Sequence, residues 1–252
     1  MPRILVTNDD GIQSEGMRYL SEAFSEIGQV VVVAPDRERS AISRAITLHH
    51  PLRISTLDRN VHILDGTPTD CVFVGAGFIM KKRPDLVVAG INKGWNLGED
   101  NAYSGTVSAA IQGTLLEVPS FAVSTIDLSE ESFRRAARFA RKIAVEILHG
   151  KLKLHETTLS VNFPLGEPKG VRWTRMGVRR YQPEVLEKLD PRGRKYYWIG
   201  GNEYQHEDIP GSDCNAVLRE KRVSVTPLML DLTDEKNRPR VAAWTLEGFK
   251  RF

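Results

Sequence analysis

The sequence has few cysteines and no long apolar run. Cys71 and Cys214 are the only two cysteines among 252 residues, which excludes a disulfide framework and a CxxC site. No apolar stretch approaches the roughly 20 residues of a transmembrane helix, and the chain opens on a strand-like segment rather than a secretory signal. A formal net charge of +3 is too small for a protein that binds nucleic-acid phosphates. We therefore expect a cytoplasmic protein that binds neither nucleic-acid polymers nor membranes.

Several motifs of nucleotide-binding and ester-hydrolysing proteins are also missing. There is no GxxxxGK[ST] sequence, which argues against a P-loop NTPase. Gly75 and Gly77 lack the third glycine of a dinucleotide-binding turn. No GxSxG sequence supports a serine hydrolase. The chemistry of this chain must therefore come from other residues.

Apolar runs alternate with amphipathic segments over the first two thirds of the chain. Arg3–Thr7, Val30–Pro35 and Asp85–Gly90 are continuous apolar strands. Segments with apolar residues at helical spacing lie between them, and Thr67 followed by proline is typical of a helix start. Fully apolar strands separated by helices predict a parallel sheet that is covered on both faces. We expect a Rossmann-like three-layer α/β/α fold with a mostly parallel sheet over residues 1–165.

Residues 166–252 lack the regular alternation of apolar strands and amphipathic helices. Turn signals on both sides of the aromatic run Tyr196–Trp198 predict a hairpin arm. A further strand, VSVTPLML, and a terminal helix, VAAWTLEGF, follow. An aromatic arm either mediates oligomerisation or covers the core as a local flap, and composition alone favours neither. We expect this part, a C-terminal strand, hairpin arm and helix, to complete the fold.

Polar residues collect where the predicted strands end. Asp9 and Asp10 follow the first strand, Ser40 follows the second, and Asn92 and Asn96 follow the strand that begins at Asp85. The carboxyl ends of parallel strands share one edge of a sheet, and ligands bind there in open α/β folds. The side chains are hard oxygen donors without histidine or cysteine, which favours Mg²⁺, Mn²⁺ or Ca²⁺ over zinc. The alternative for the aspartate pair alone is a solvated turn.

A second feature is the sequence Ser104-Gly105-Thr106, which opens a predicted helix. Free N–H groups at a helix start, two hydroxyls and a glycine suit a phosphate group. The alternative is an ordinary serine or threonine cap. A cation site and an anion site at one edge together indicate phosphoryl transfer. Because Asn8 stands where a covalent aspartate nucleophile would precede the doublet, attack by water is expected.

Five motifs in order resemble the SurE family (survival protein E). They are ILVTNDDGI, VVAPDRERS, GTPTDCV, GINKGWNLG and YSGTVSAA, and the later DPRGRKYYWIG and VSVTPL are also similar. The resemblance spans nearly the whole chain. It implies a metal-dependent phosphatase that acts on nucleoside 5′- and 3′-monophosphates and sometimes on short polyphosphate. It also implies dimers or tetramers that are built by exchanged C-terminal segments.

The resemblance also implies roles for individual residues. One divalent ion per subunit, Mg²⁺ or Mn²⁺, would be held by Asp9, Asp10, Ser40 and Asn92. Catalysis would fall to Asp9 and Asp10, which orient a metal-activated water or take its proton. The phosphate would meet four residues: Asn96, Ser104, Gly105 and Thr106. Trp95 departs from the family pattern, which more often has proline there, so this ring is expected either to stack on a base or to pack.

Two other functions use the same residues. A non-catalytic nucleotide sensor would keep the phosphate turn without needing an activated water. A nucleotide-sugar glycosyltransferase would also pair acids with a divalent ion, but it normally needs a second α/β half for the acceptor. The irregular C-terminal third does not resemble such a half. A measurement of phosphate release therefore separates the phosphatase hypothesis from the sensor hypothesis.

Overall fold

A mixed sheet of nine strands organises the part of the chain that the computed structural model describes, residues 1–180, 184–200 and 205–244. The strands of the described residues are β1 (Arg3–Thr7), β2 (Gln29–Pro35), β3 (Ile54–Asp58), β4 (Val61–Leu64), β5 (Leu86–Lys93), β6 (Ser120–Thr125), β7 (Thr157–Phe163), β8 (Val171–Trp173), β9 (Arg179–Arg180), β10 (Glu184–Leu189), β11 (Lys195–Gly200), β12 (Gln205–His206) and β13 (Val223–Met229). The α-helices are α1 (Glu15–Ser25), α2 (Pro68–Val74), α3 (Asp100–Tyr103), α4 (Gly105–Leu115), α5 (Glu130–Leu148) and α6 (Arg238–Ala243), and π-helical turns span Gly75–Ile79 and Asn215–Arg219.

The sheet is mostly parallel, which confirms the predicted fold class. Its strand order is β3-β4-β2-β1-β5-β6-β7-β13-β8. Strands β4, β2, β1, β5, β6 and β7 run parallel to one another, whereas β3 and β13 pair antiparallel with β4 and β7. The chain leaves β1 toward β2 on one side and returns to β5 on the other. The order therefore reverses at β1, and a crevice opens at the carboxyl ends of β1 and β5.

Helices cover both faces of the sheet. Helices α1 and α5 bury Phe24 and Phe133 in a core cluster that also includes Phe121 of β6, Ile4 and Val88. Helices α2 and α4 enclose a second cluster on the opposite face. Each fully buried large apolar side chain contributes about 1.5–3 kcal/mol relative to exposure. The two cores hold the strand ends rigidly, and this rigidity fixes the loops that follow them.

The helix starts follow the sequence signals. Helix α2 begins with a capping box in which the Thr67 hydroxyl accepts from the Asp70 N–H at 3.0 Å and the Asp70 carboxylate accepts from the Thr67 N–H at 2.9 Å. The Ser104 hydroxyl caps α4 by accepting from the Val107 N–H at 3.0 Å. These caps satisfy N–H groups that the first turn of a helix leaves unpaired. The predicted cap at Thr67 is confirmed.

The segment after Gly166 adds strands to the sheet and a separate hairpin. Strand β13 lies between β7 and β8 in the main sheet. Strands β10 and β11 pair antiparallel, and Trp198 lies opposite Leu186. Of the predicted terminal helix, residues 241–243 belong to α6, and the remainder from residue 245 lies outside the described residues. Within the described ranges, no helix is both long and apolar enough to cross a membrane.

Candidate active site

A cavity of about 330 Å³ opens at the crevice between β1 and β5. Five of the eight predicted site residues line it: Asp9, Ser40, Asn92, Asn96 and Ser104. The other three adjoin it, because Asp10 follows Asp9 in the chain and because Gly105 and Thr106 contact Asp9. The structure therefore places all eight predicted residues in one region of the sheet edge.

Asp9 is held by the first turn of α4. The Thr106 N–H donates to Asp9 Oδ2 at 3.1 Å, and the Thr106 hydroxyl donates to Asp9 Oδ1. The Arg39 N–H donates to the Asp9 carbonyl oxygen at 2.7 Å. Asp9 is buried, and burial raises the pKa of its carboxyl even though the Thr106 hydrogen bonds oppose that shift. The N-terminus of α4 thus orients a carboxylate of the chain itself.

Asp10 has one backbone partner and a strongly shifted acidity. The Lys93 N–H donates to Asp10 Oδ2 at 3.1 Å. Burial, followed by the negative charge of Asp9, raises the pKa of Asp10 from 3.8 to about 6. The polypeptide thus places two carboxylates side by side, and the charge of Lys93 offsets the raised pKa of Asp10 only in part. Such a pair favours the binding of a positively charged ligand.

The loop after β2 brings Ser40 to the cavity. The Ser40 hydroxyl donates to Glu38 Oε1 at 2.5 Å. Three residues farther on, Ser43 fastens the loop to α3, because its N–H and its hydroxyl donate to the carbonyls of Tyr103 and Ala102 at 2.9 and 2.8 Å. The loop is therefore anchored close to the cavity that Ser40 lines.

Asn96 is supported by polar residues from the ends of two neighbouring strands. Its side-chain amide donates to Ser124 Oγ at 2.8 Å, and its backbone N–H donates to Asn162 Oδ1 at 2.8 Å. The Asn162 amide returns a hydrogen bond to the Asn96 carbonyl at 3.1 Å. Sequence reasoning missed Ser124 and Asn162. Both stand at the carboxyl ends of their strands, so the rule that found Asp9 could have found them.

The three residues at the start of α4, Ser104, Gly105 and Thr106, make different contacts. Ser104 lines the cavity and caps the helix. Gly105 lies against Asp9, since a Cβ atom at this position would meet Asp9 Cβ at 2.9 Å and Asp9 Oδ2 at 3.0 Å. The backbone N–H and the hydroxyl of Thr106 both donate hydrogen bonds to the Asp9 carboxylate. The phosphate-binding assignment of Gly105 and Thr106 remains a prediction.

The donor set around Asp9 fits a hard divalent cation. Besides the two carboxylates, the Asn92 side-chain oxygen lies 3.5 Å from the Thr106 hydroxyl. Asn8 Oδ1 is buried without a hydrogen-bond partner in the described part of the chain, while its Nδ2 donates to the Gly11 carbonyl at 2.9 Å. Among the described residues, no group of three or more His, Cys, Asp or Glu could hold a metal. Any ion here would therefore depend on amide and hydroxyl oxygens as well as on the two carboxylates.

Two aromatic side chains, Trp95 and Tyr103, line the cavity. The Trp95 indole N–H donates to the Phe163 carbonyl at 2.6 Å, and its ring packs beside Leu97 and Val217. Tyr103 also lines the cavity but is 60% exposed. Trp95 is thus anchored on its inner side, and Tyr103 is the more accessible ring for stacking.

Similarity to known proteins extends over nearly the whole chain. A family model described as survival protein SurE matches residues 4–183. The chain belongs to the SurE family. The resemblance that the five sequence motifs indicate is therefore confirmed.

Relatives of this SurE chain match it along almost their full lengths. The 5′-nucleotidase SurE of Myxococcus xanthus is 53% identical over 251 residues, which cover 99% of this chain and 95% of the relative. The 5′-nucleotidase SurE of Geobacter sulfurreducens is 49% identical over 249 residues, which cover 97% and 94%. The crystal structure of the SurE protein from Aquifex aeolicus superimposes with a TM-score of 0.83 at 41% identity and covers 96% of this chain and 99% of that one. This structural match supports the α/β fold.

Proposed function

We propose that this SurE protein is a 5′-nucleotidase that hydrolyses nucleoside monophosphates at the crevice between β1 and β5. One observation carries the proposal: of two adjacent carboxylates with raised pKa values, Asp9 lines and Asp10 adjoins a cavity that also contains amide and hydroxyl groups and lies beside a helix N-terminus. Relatives of about 50% identity bear the name 5′-nucleotidase SurE. We extend the proposal to nucleoside 3′-monophosphates and short polyphosphate, as the family resemblance implies.

The proposed cofactor is one Mg²⁺ or Mn²⁺ ion per subunit. Asp9, Asp10, Ser40 and Asn92 would hold it, since all four supply oxygen atoms and three of them line the cavity. A bound ion would polarise a phosphoryl oxygen and lower the pKa of a water. The buried carboxylate pair supports this assignment, because an uncompensated pair in a partly buried site is electrostatically unfavourable.

The chain's own residues account for the attack on phosphorus. Asn8 has an amide that cannot form a covalent phosphoryl intermediate, so water is the nucleophile. Asp10, which one backbone N–H holds beside Asp9, would orient that water or take its proton. Asp9 cannot rotate freely because Thr106 binds both of its oxygens. The two carboxylates would thus hold the water in line with the phosphoryl group.

Residues on the other side of the cavity would bind the phosphate. Asn96 is fixed by Ser124 and Asn162, and Ser104 is fixed at the start of α4. Oriented groups that need no reorganisation during the reaction can stabilise the charge that develops on the phosphoryl oxygens. An assay of phosphate release from a panel of nucleoside 5′- and 3′-monophosphates tests the proposal and ranks the substrates.

We expect divalent-ion binding to weaken at acidic pH. A proton on Asp10 competes with the ion, so affinity should fall below pH 6 by up to about tenfold per pH unit. Without the ion, the stability associated with the raised pKa is present below pH 3.8 and is lost as the pH rises through about 6. The increase in Tm caused by a fixed Mn²⁺ concentration should therefore be larger at pH 7.5 than at pH 5.

Thermal unfolding with and without Mn²⁺ measures this difference. In Asp10→Asn, which has no carboxyl to titrate at this position, the Mn²⁺-induced shift should be small at both pH values. An equal shift at pH 5 and pH 7.5 in the unmodified protein would contradict the assignment of Asp10 as a ligand.

We also propose that the protein forms dimers or tetramers through its C-terminal part. The β10–β11 hairpin exposes apolar side chains that a monomer would leave in water, among them Leu186 at 41% and Trp198 at 63% exposure. Leu186→Ser/Trp198→Ser should reduce the assembly mass measured by light scattering, whereas Leu57→Ser, on exposed β3, should not. A monomeric unmodified protein would contradict the proposal.

The low cysteine content predicts the cytoplasm as the compartment of the protein.

A further inference from the structure

A buried ion pair between Arg179 and Asp100 forms part of the cavity wall. Arg179 Nη1 donates to Asp100 Oδ2, and both residues are 7% exposed. Both line the cavity together with Asp9 and Ser104. Arg179 comes from the irregular C-terminal third, so no sequence motif pointed to it. Its guanidinium nevertheless lies in the same cavity as the candidate carboxylates.

The alternation of strand β9 turns Arg179 toward the cavity and Arg180 toward solvent. The Arg180 side chain is 74% exposed and pairs with Glu207, whereas the Arg179 side chain is 7% exposed. The Arg179 N–H donates to a Glu99 carboxylate oxygen just before α3. The backbone of Arg179 is therefore fixed to the loop that carries the candidate phosphate residues.

Asp213 fastens the two segments that carry the ion pair. This fully buried carboxylate accepts from the Gly177 N–H at 2.7 Å and from the Gly98 N–H at 3.0 Å. Gly98 has a φ of +52°, and a Cβ atom there would come within 3.0 Å of the Gly177 carbonyl oxygen. The close approach and the shared carboxylate place Arg179 in a rigid position. Such preorganisation is expected of a group that binds a ligand.

The charges around the cavity indicate that Arg179 suits an anionic ligand. Among the described residues that line the cavity, the cations are Lys93, which is exposed, and Arg179, which is buried. Asp9, Asp10 and Asp100 together carry three negative charges when ionised. These two cations and the proposed divalent ion would offset the negative charge of a phosphate dianion that enters beside these carboxylates. A buried cation attracts that dianion more strongly than an exposed one, since the local dielectric is lower.

We propose that Arg179 binds the phosphoryl group of the substrate and of the released phosphate, and that Asp100 positions it. The planar guanidinium matches the geometry of phosphate oxygens, which a lysine ammonium cannot match. A purely structural ion pair is the competing explanation. Burial of two charges seldom stabilises a fold more than apolar packing does, so stability alone gives little reason to place this pair beside the cavity. The inference deepens the proposed nucleotidase function and rests on it.

The test compares Arg179→Lys and Arg179→Ala with Arg180→Ala as the matched control. KM and kcat for a nucleoside 5′-monophosphate and the inhibition constant of inorganic phosphate are measured with Mn²⁺ present. Loss of hydrogen bonds to a charged group should raise both KM and the inhibition constant by about 10- to 100-fold. Arg180→Ala should remain within about twofold of the unmodified protein. Added guanidinium ion should restore part of the phosphate affinity to Arg179→Ala.

Direct binding of inorganic phosphate, measured by calorimetry, keeps this inference separate from the proposed activity. Phosphate affinity that falls in Arg179→Lys supports the role of Arg179, even if the unmodified protein releases no phosphate and the nucleotidase proposal fails. Phosphate affinity within twofold of the unmodified protein in a folded Arg179→Lys would overturn it. A loss of kcat alone, with phosphate affinity and KM unchanged, would likewise overturn the assignment of phosphate binding to Arg179. Arg179→Lys keeps a cation beside Asp100, so the comparison avoids an unpaired buried carboxylate.

Discussion

Asp10→Asn is expected to lower kcat by about 10²- to 10⁴-fold, the range for loss of a general base. The substitution preserves the size of the side chain and keeps an oxygen that can accept from the Lys93 N–H. It removes the group whose pKa lies near 6 and one negative charge from the proposed ion site. Both changes act on the reaction rather than on folding, so Tm without the ion should change little or rise.

Steady-state phosphate release and thermal unfolding, measured on the same preparation, test this expectation. Asp58→Asn is the matched control, because Asp58 is exposed on β3, the edge strand of the sheet, and does not line the cavity. It should retain full activity. Activity of Asp10→Asn within a few-fold of the unmodified protein would remove Asp10 from both the catalytic and the ion-binding assignments.

Gly105→Ala is expected to lower kcat by about 10²-fold, the cost of misplacing a reacting group by roughly 1 Å. A methyl group on Gly105 would lie 2.9 Å from Asp9 Cβ and 3.1 Å from Ile42 Cγ2, so the Asp9 side chain must move away from Thr106. The backbone of α4 does not oppose alanine, since Gly105 is not among the glycines with positive φ. Alanine also favours a helix more than glycine does. The loss should therefore appear in activity far more than in stability.

Gly77→Ala serves as the matched control for this substitution. A Cβ atom on Gly77 would meet nothing within 4 Å, so activity should be unchanged. A double variant, Gly105→Ala/Thr106→Val, should be little worse than Gly105→Ala alone, because both substitutions disturb the same support of Asp9. Unchanged kcat in Gly105→Ala would show that the position of Asp9 does not govern the reaction.

The sequence predicts most of the architecture because the relevant signals are local. Continuous apolar strands such as Val30–Pro35 and the cap at Thr67 need only neighbouring residues to be recognised. The rule that ligands bind at the carboxyl ends of parallel strands then brings Asp9, Ser40 and Asn92 together before any coordinates exist. The structure places these three residues around one cavity.

The remaining features depend on contacts between distant parts of the chain. Thr106 has the properties of a phosphate-binding residue in the sequence, yet its protons go to Asp9, which lies 97 positions earlier. Arg179 reaches Asp100 across 79 positions from a segment without regular periodicity. No local pattern encodes such pairs, because they arise only when the sheet edge and the C-terminal segment pack together. Composition likewise indicated an aromatic arm without indicating what it contacts.

The central claim is that the crevice between β1 and β5 hydrolyses nucleoside monophosphates with a divalent ion. The most direct measurement is phosphate release from a nucleoside 5′-monophosphate by the purified protein with Mn²⁺, with excess chelator, and with Mn²⁺ restored. We predict phosphate release with Mn²⁺, its loss with chelator and its recovery when Mn²⁺ is restored. In Asp10→Asn, phosphate release should be nearly absent under all three conditions. Nucleotide binding without phosphate release under any condition would contradict the account and would identify a sensor instead.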